Sequence, residues 1–121
     1  MTRHRETGTP GERTGRPLSD AALELIAVRF RALGEPNRLR LIQALAGGER
    51  NVGELISATG LTQTNVSRHL GVLIDAGILG RRKVGLLAYY HIADRSILDL
   101  CRHVCGSVEK RIERQADLFS N

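Results

Sequence analysis

T-Q-T-N-V-S-R-H-L-G-V-L-I-D-A-G-I-L, residues Thr62 to Leu79, is the stretch from which the rest of the chain is read. Val66, Leu70, Leu73 and Ile74 recur at helical offsets and make one apolar stripe that must face a core. At about 100° per residue, Thr64, Asn65, Ser67, Arg68, Gly71 and Asp75 fall on the opposite side, a small polar surface with one guanidinium near its centre. Such a surface suits hydrogen bonding to base edges. Thr62 is a good N-cap, and Gly77 can take the left-handed conformation that closes a helix before Ile78 and Leu79 begin an extended segment.

Working outward, Gly60 separates this helix from a short one running to Ala58, which Asn51 and Glu54 begin as a capping pair. A short helix, a tight turn and a longer helix over Asn51 to Asp75 have helix-turn-helix spacing. Upstream, Ser19 can cap a first helix with Leu23, Ile26, Ala27, Phe30 and Leu33 on its apolar stripe. Pro36 suits the first turn of a second, Asn37 to Ala46, and both are expected in the core. Downstream, β-branched, aromatic and basic residues around Gly85 predict a two-stranded hairpin whose first strand carries Arg81, Arg82 and Lys83. Alternation puts at least one of the three on each face, either to grip phosphates as a wing or to protect a strand edge. Asp94 can cap a last helix reaching about Phe119, with Ile97, Cys101, Val104, Cys105, Val108 and Ile112 on one stripe. A stripe that long on a terminal helix calls for a partner, and the expectation is packing against the first helix and a symmetry mate.

The expected fold class is therefore mainly α with a β-hairpin: a homodimeric winged helix-turn-helix of five helices and a two-stranded wing. Residues 1–17 are read as a disordered basic arm, since glycine, proline and arginine leave nothing to bury, and residues 18–119 as the DNA-binding and dimerisation domain. With 121 residues the chain can bury only a small core, which oligomerisation would extend. Its 18 Lys and Arg against 13 Asp and Glu leave a formal charge of +5, which favours a polyanionic partner. No apolar run approaches the roughly 18 residues needed to span a bilayer, and the N-terminus has no apolar signal core, so the expectation is a cytoplasmic protein with no membrane partner. Two cysteines do not make a disulfide framework.

The words A-L-G-E-P-N-R-L-R-L-I from Ala32, V-S-R-H-L-G-V-L-I-D-A-G-I-L from Val66 and Y-Y-H-I from Tyr89 stand in that order. On these motifs the sequence resembles the ArsR/SmtB family of bacterial winged-helix repressors over roughly residues 22 to 115. The resemblance implies a homodimer that binds an inverted-repeat operator in double-stranded DNA and leaves it when an inducer binds. It implies that the helix from Gln63 enters the major groove, with Gln63, Thr64, Asn65, Ser67, Arg68 and His69 as its DNA-contact set and Arg81, Arg82 and Lys83 on the wing. His69 lies on the flank of the apolar stripe, so for it a buried role competes with contact to DNA.

The inducer sites of the family are where this chain departs from its pattern. Members with an arsenite or cadmium site use a cysteine pair where Asn51 and Gly53 stand here, and members with a zinc site use carboxylates and histidines where Asp94, Ser96, Ser107 and Lys110 stand. One carboxylate does not hold zinc. What remains is Cys101 and Cys105, one helical turn apart with both thiols on one face. Closely placed thiolates suit a soft metal ion, a trivalent arsenical or an oxidant, whereas buried cysteines on an apolar stripe also serve as small hydrophobes. No cofactor is otherwise expected.

Two functions follow. One is a transcriptional repressor released by a thiol-reactive inducer at Cys101 and Cys105. The other is a winged-helix protein-interaction module with structural cysteines and no inducer. An enzyme is not expected: Ser67 and His69 point in different directions, no carboxylate orients the histidine, and no glycine loop could cradle a phosphate.

Overall fold

The computed structural model describes residues 17–119, so the arm expected over residues 1–17 lies, but for its last residue, outside the described residues. Five helices run in order with three strands: α1 (Asp20–Leu33), α2 (Pro36–Leu45), β1 (Arg50–Asn51), α3 (Val52–Thr59), α4 (Gln63–Asp75), β2 (Leu79–Val84), β3 (Leu87–Ile92) and α5 (Ser96–Phe119). The helix starts are those the sequence signals. Ser19 Oγ accepts the Ala22 N–H at 3.1 Å, Thr62 Oγ1 accepts that of Asn65 at 3.2 Å, and Asn51 and Glu54 exchange two bonds of 2.9 Å as a capping box. Glu35 caps α2, its carboxylate accepting the Asn37 N–H at 3.0 Å ahead of Pro36. Gly60 and Gly77 close α3 and α4 with φ of 74° and 77°.

Val66, Leu70 and Leu73 of α4 meet Leu41 and Leu45 of α2, Leu55 of α3 and Ile78 in a core closed by Tyr90, Ile92 and Ile97. The expected hairpin is present, with Arg81 opposite Tyr90, Arg82 opposite Tyr89 and Val84 opposite Leu87. It is joined by a third strand that the sequence does not reveal. Arg50 and Asn51 pair antiparallel with Tyr90 and Tyr89, giving the order β1-β3-β2. Two residues are too few to show an alternating pattern.

α1 departs from the expectation of a core element. Only Ala32 and Leu33 are buried, while Leu23, Ile26 and Phe30 stay 40–56% exposed. α5 behaves likewise: Ile97 is buried and Leu98, Leu100 and Cys101 pack on the core, but Val104, Val108 and Ile112 are 49–58% exposed. Both stripes predicted from periodicity are real, and within one chain neither is covered. Arg29 of α1 pairs with Asp94, whose Oδ1 also accepts the Ser96 N–H at 3.1 Å at the start of α5. That ion pair ties α1 to α5 at one end, and the carboxylate is held below its usual pKa by Ser96 first and Arg29 second.

Candidate nucleic-acid interface

α4 presents the face that its periodicity dictates. Gln63, Thr64, Ser67, Arg68 and Gly71 are exposed and Asn65 is half-buried. Arg68 donates through one Nη to Asn65 Oδ1 at 3.2 Å, which orients the guanidinium without neutralising it. No carboxylate among the described residues lies in ion-pair reach of Arg68. The centre of the surface therefore carries a guanidinium in no direct ion pair, felt only at longer range by Glu35 and flanked by small hydrogen-bonding groups. This is the chemistry that reads base edges and phosphates.

His69 is the exception. It is 2% exposed, so it does not stand on the outer surface with its neighbours. Its ring turns toward α1 and α2 instead. Arg38 Nη1 lies 3.3 Å from Nδ1, and since a guanidinium only donates, Nδ1 accepts and the ring proton sits on Nε2. Nε2 lies 3.3 Å from Glu35 Oε2, an oxygen with no aligned hydrogen-bond partner among the described residues, so a carboxylate does face this histidine, contrary to the expectation from sequence, because α2 brings it in from 34 residues upstream. Burial pushes the pKa of His69 below 6.5, outweighing the pull of Glu35 in the other direction. Arg38 also donates to the Ala32 carbonyl at 2.6 Å and the Arg31 carbonyl at 3.2 Å, closing the C-terminal end of α1. Glu35, Arg38 and His69 thus fasten α4 to α1 and α2. The contact of Glu35 with His69 spans the fold and leaves no local signal in the sequence.

On the wing, Arg81, Arg82 and Lys83 are all exposed, and alternation divides them as expected. Arg82 is engaged: it pairs with Glu49, its Nε reaching the second carboxylate oxygen at 3.3 Å, and its guanidinium carbon lies 5.7 Å from the Tyr89 ring centre. Arg81 and Lys83 share the other face and have no ion pair among the described residues. Two of the three wing charges are therefore free for a polyanion.

Cys101 and Cys105 are free thiols. Together with Phe30, Leu33, Leu39, Leu100 and Val104 they line an open apolar groove of about 380 Å³ between α5 and the end of α1. Cys101 is half-buried and Cys105 exposed, its thiol donating to Glu109 Oε1 at 3.3 Å. That carboxylate pushes the Cys105 pKa above its ordinary value. The described residues contain no group of three or more His, Cys, Asp or Glu placed to hold a metal ion. Two sulfurs in an apolar setting suit a thiophilic species and not a hard cation. Asp94, the lone carboxylate at the zinc-type position, is committed to Arg29 and Ser96.

Residues 35–80 match the family model described as bacterial regulatory protein, arsR family. Over 71 residues the chain is 39% identical to a protein described as the probable mercury resistance operon repressor of Streptomyces lividans, a match covering 59% of this chain and 57% of that one. It is 39% identical over 83 residues to the HTH-type transcriptional regulator Rv0081 of Mycobacterium tuberculosis, covering 68% of this chain and 73% of that one. The crystal structure of Rv0081 superposes with a TM-score of 0.71 at 32% identity, covering 81% of this chain and 99% of that one. The homodimeric winged helix-turn-helix DNA-binding domain of Mb0332 from Mycobacterium bovis superposes with a TM-score of 0.72 at 32% identity, covering 80% and 93%.

Proposed function

The chain belongs to the ArsR family of bacterial regulatory proteins, and from that premise we propose that it is a homodimeric repressor that holds an inverted-repeat operator through two copies of α4. The relatives and the shared fold are those of transcriptional regulators and not of enzymes. The observation that carries the proposal is the outer face of α4, where Arg68 is exposed, oriented by Asn65 and in no ion pair among the described residues. Gln63, Thr64 and Ser67 surround it as base- or phosphate-facing groups, and Arg81 and Lys83 supply phosphate contacts from the wing. Twofold symmetry sets the two half-sites about one helical turn apart.

Fluorescence anisotropy on a duplex from the chain's own upstream region, titrated with salt, tests this reading. Binding should weaken steeply with salt. Arg68→Ala should lose about 1–3 kcal/mol, read as a rise in Kd of roughly five- to 150-fold. Salt-insensitive binding, or none to this or related repeats, would favour a protein-interaction module.

For the inducer, we propose a soft metal ion, a trivalent arsenical or another thiol-reactive species bound by Cys101 and Cys105, with four sulfurs across the dimer. The apolar groove and the pairing of thiols by one helical turn support it. The thiol of Cys105 must give up its proton, against the carboxylate of Glu109, before it ligates. Operator release by mercury(II), arsenite, methylarsenite, peroxide and persulfide, compared between wild type and Cys101→Ser, is the test. Equal responses from the two proteins would remove the thiol pair from the mechanism.

A further inference from the structure

The hairpin ends in an apolar point carried on a cationic shaft. Val84 and Leu87 are opposite each other in the ladder, so the turn between them is the two residues Gly85 and Leu86. Gly85 has φ of 61° and Leu86 does not share the left-handed conformation, the arrangement of a tight hairpin turn with glycine at its first central position. Leu86 is consequently thrown clear of the molecule, at 101% exposure, with Val84 and Leu87 about half-exposed beneath it. No helix among the described residues covers them. A single exposed leucine is ordinary. Three neighbouring aliphatic residues at the farthest point of a hairpin, immediately preceded by the unpaired Arg81 and Lys83, are a shaped feature.

Charge complementarity names the occupant. The cations of the shaft share the sign of Arg68 on α4, so a surface that attracts one attracts the other, and a polyanion satisfies both. A groove floor of stacked bases offers what the apolar tip lacks, whereas phosphates do not. We propose that Leu86, buttressed by Val84 and Leu87, is a wedge that the wing presses between base pairs in the minor groove flanking each half-site, unstacking one step and bending the duplex. Aliphatic side chains at base steps act this way in minor-groove binders. Steps that unstack readily, such as TA and CA, are favoured at that position, so the wedge selects sequence by deformability and not by hydrogen bonds. This inference rests on the DNA-binding reading above.

The test uses the full chain and the duplex it enriches most from a randomised pool, with 2-aminopurine placed in turn along each flank. Wild type should brighten the fluorophore at one step per half-site. Leu86→Gln should abolish the brightening and weaken binding about tenfold, the loss of one leucine's burial. Leu86→Phe should retain it. Because Leu86 is fully exposed, all three proteins should melt at the same temperature. A pool that enriches no duplex overturns the wedge together with the DNA-binding reading. An enriched duplex that never brightens, or one that Leu86→Gln brightens as strongly as wild type, overturns the wedge alone and leaves the tip to a protein or membrane surface.

Discussion

His69 shows what periodicity can and cannot say about one side chain. Its position on the edge of the α4 stripe allows either an outward or an inward ring, and only the Glu35 and Arg38 side chains brought in from α2 settle the matter. Its neighbours Thr64, Ser67 and Arg68 sit well away from the stripe, so their exposure is legible without a structure. The buried neutral imidazole has a consequence in solution. The unfolded chain takes up a proton on this residue near pH 6.5, and the folded protein does so only at lower pH. Across that window the unfolded state binds more protons, so stability falls as pH drops below about 6.5. Urea denaturation at pH 7.0 and 5.5 should show this decline in wild type and a smaller one in His69→Asn. The carboxylates of Glu35, Glu49 and Asp94 have lowered pKa values, so their contributions persist through this range and are lost only on further acidification.

At the scale of elements, helix boundaries are readable because each cap is a short-range bond between a side chain and a backbone two or three residues on. β1 escaped because a two-residue strand exists only through its partner. The exposure of α1 is not legible for another reason: an amphipathic stripe says that a face will be covered, not by which chain. Glycines divide in the same way. Gly60 makes the turn between α3 and α4 in a left-handed conformation with open space where a Cβ would stand. Gly60→Ala therefore costs backbone strain alone, about 1–2 kcal/mol. Gly71 lies inside α4 with ordinary helical geometry and the same open space, so Gly71→Ala should instead gain roughly 0.5–1 kcal/mol. Thermal denaturation should move in opposite directions for the two variants.

For the whole molecule, the uncovered stripes of α1 and α5 outweigh every other surface feature. Leu23, Ile26, Phe30, Val104, Val108 and Ile112 would put two helices' worth of apolar side chains in water on an isolated chain. A second copy seated there would bury them and bring the cysteine groove to the seam. Val108→Glu places a charge in that seam without touching the core of one chain. Light scattering should then find a monomer, circular dichroism an unchanged helix content, and operator binding should fall at least about a hundredfold, since two linked half-sites become independent.

β1 has a practical corollary. Asn51 is at once a rung opposite Tyr89 and the residue whose side chain starts α3, so the base of the wing is stitched to the first helix of the helix-turn-helix. A hairpin transplanted from a relative should be spliced beyond that rung, within residues 81–88. Junctions drawn at 50–51 would fray the donor segment and the host together, whereas a longer or shorter loop grafted at the far end would alter only how far the appendage extends.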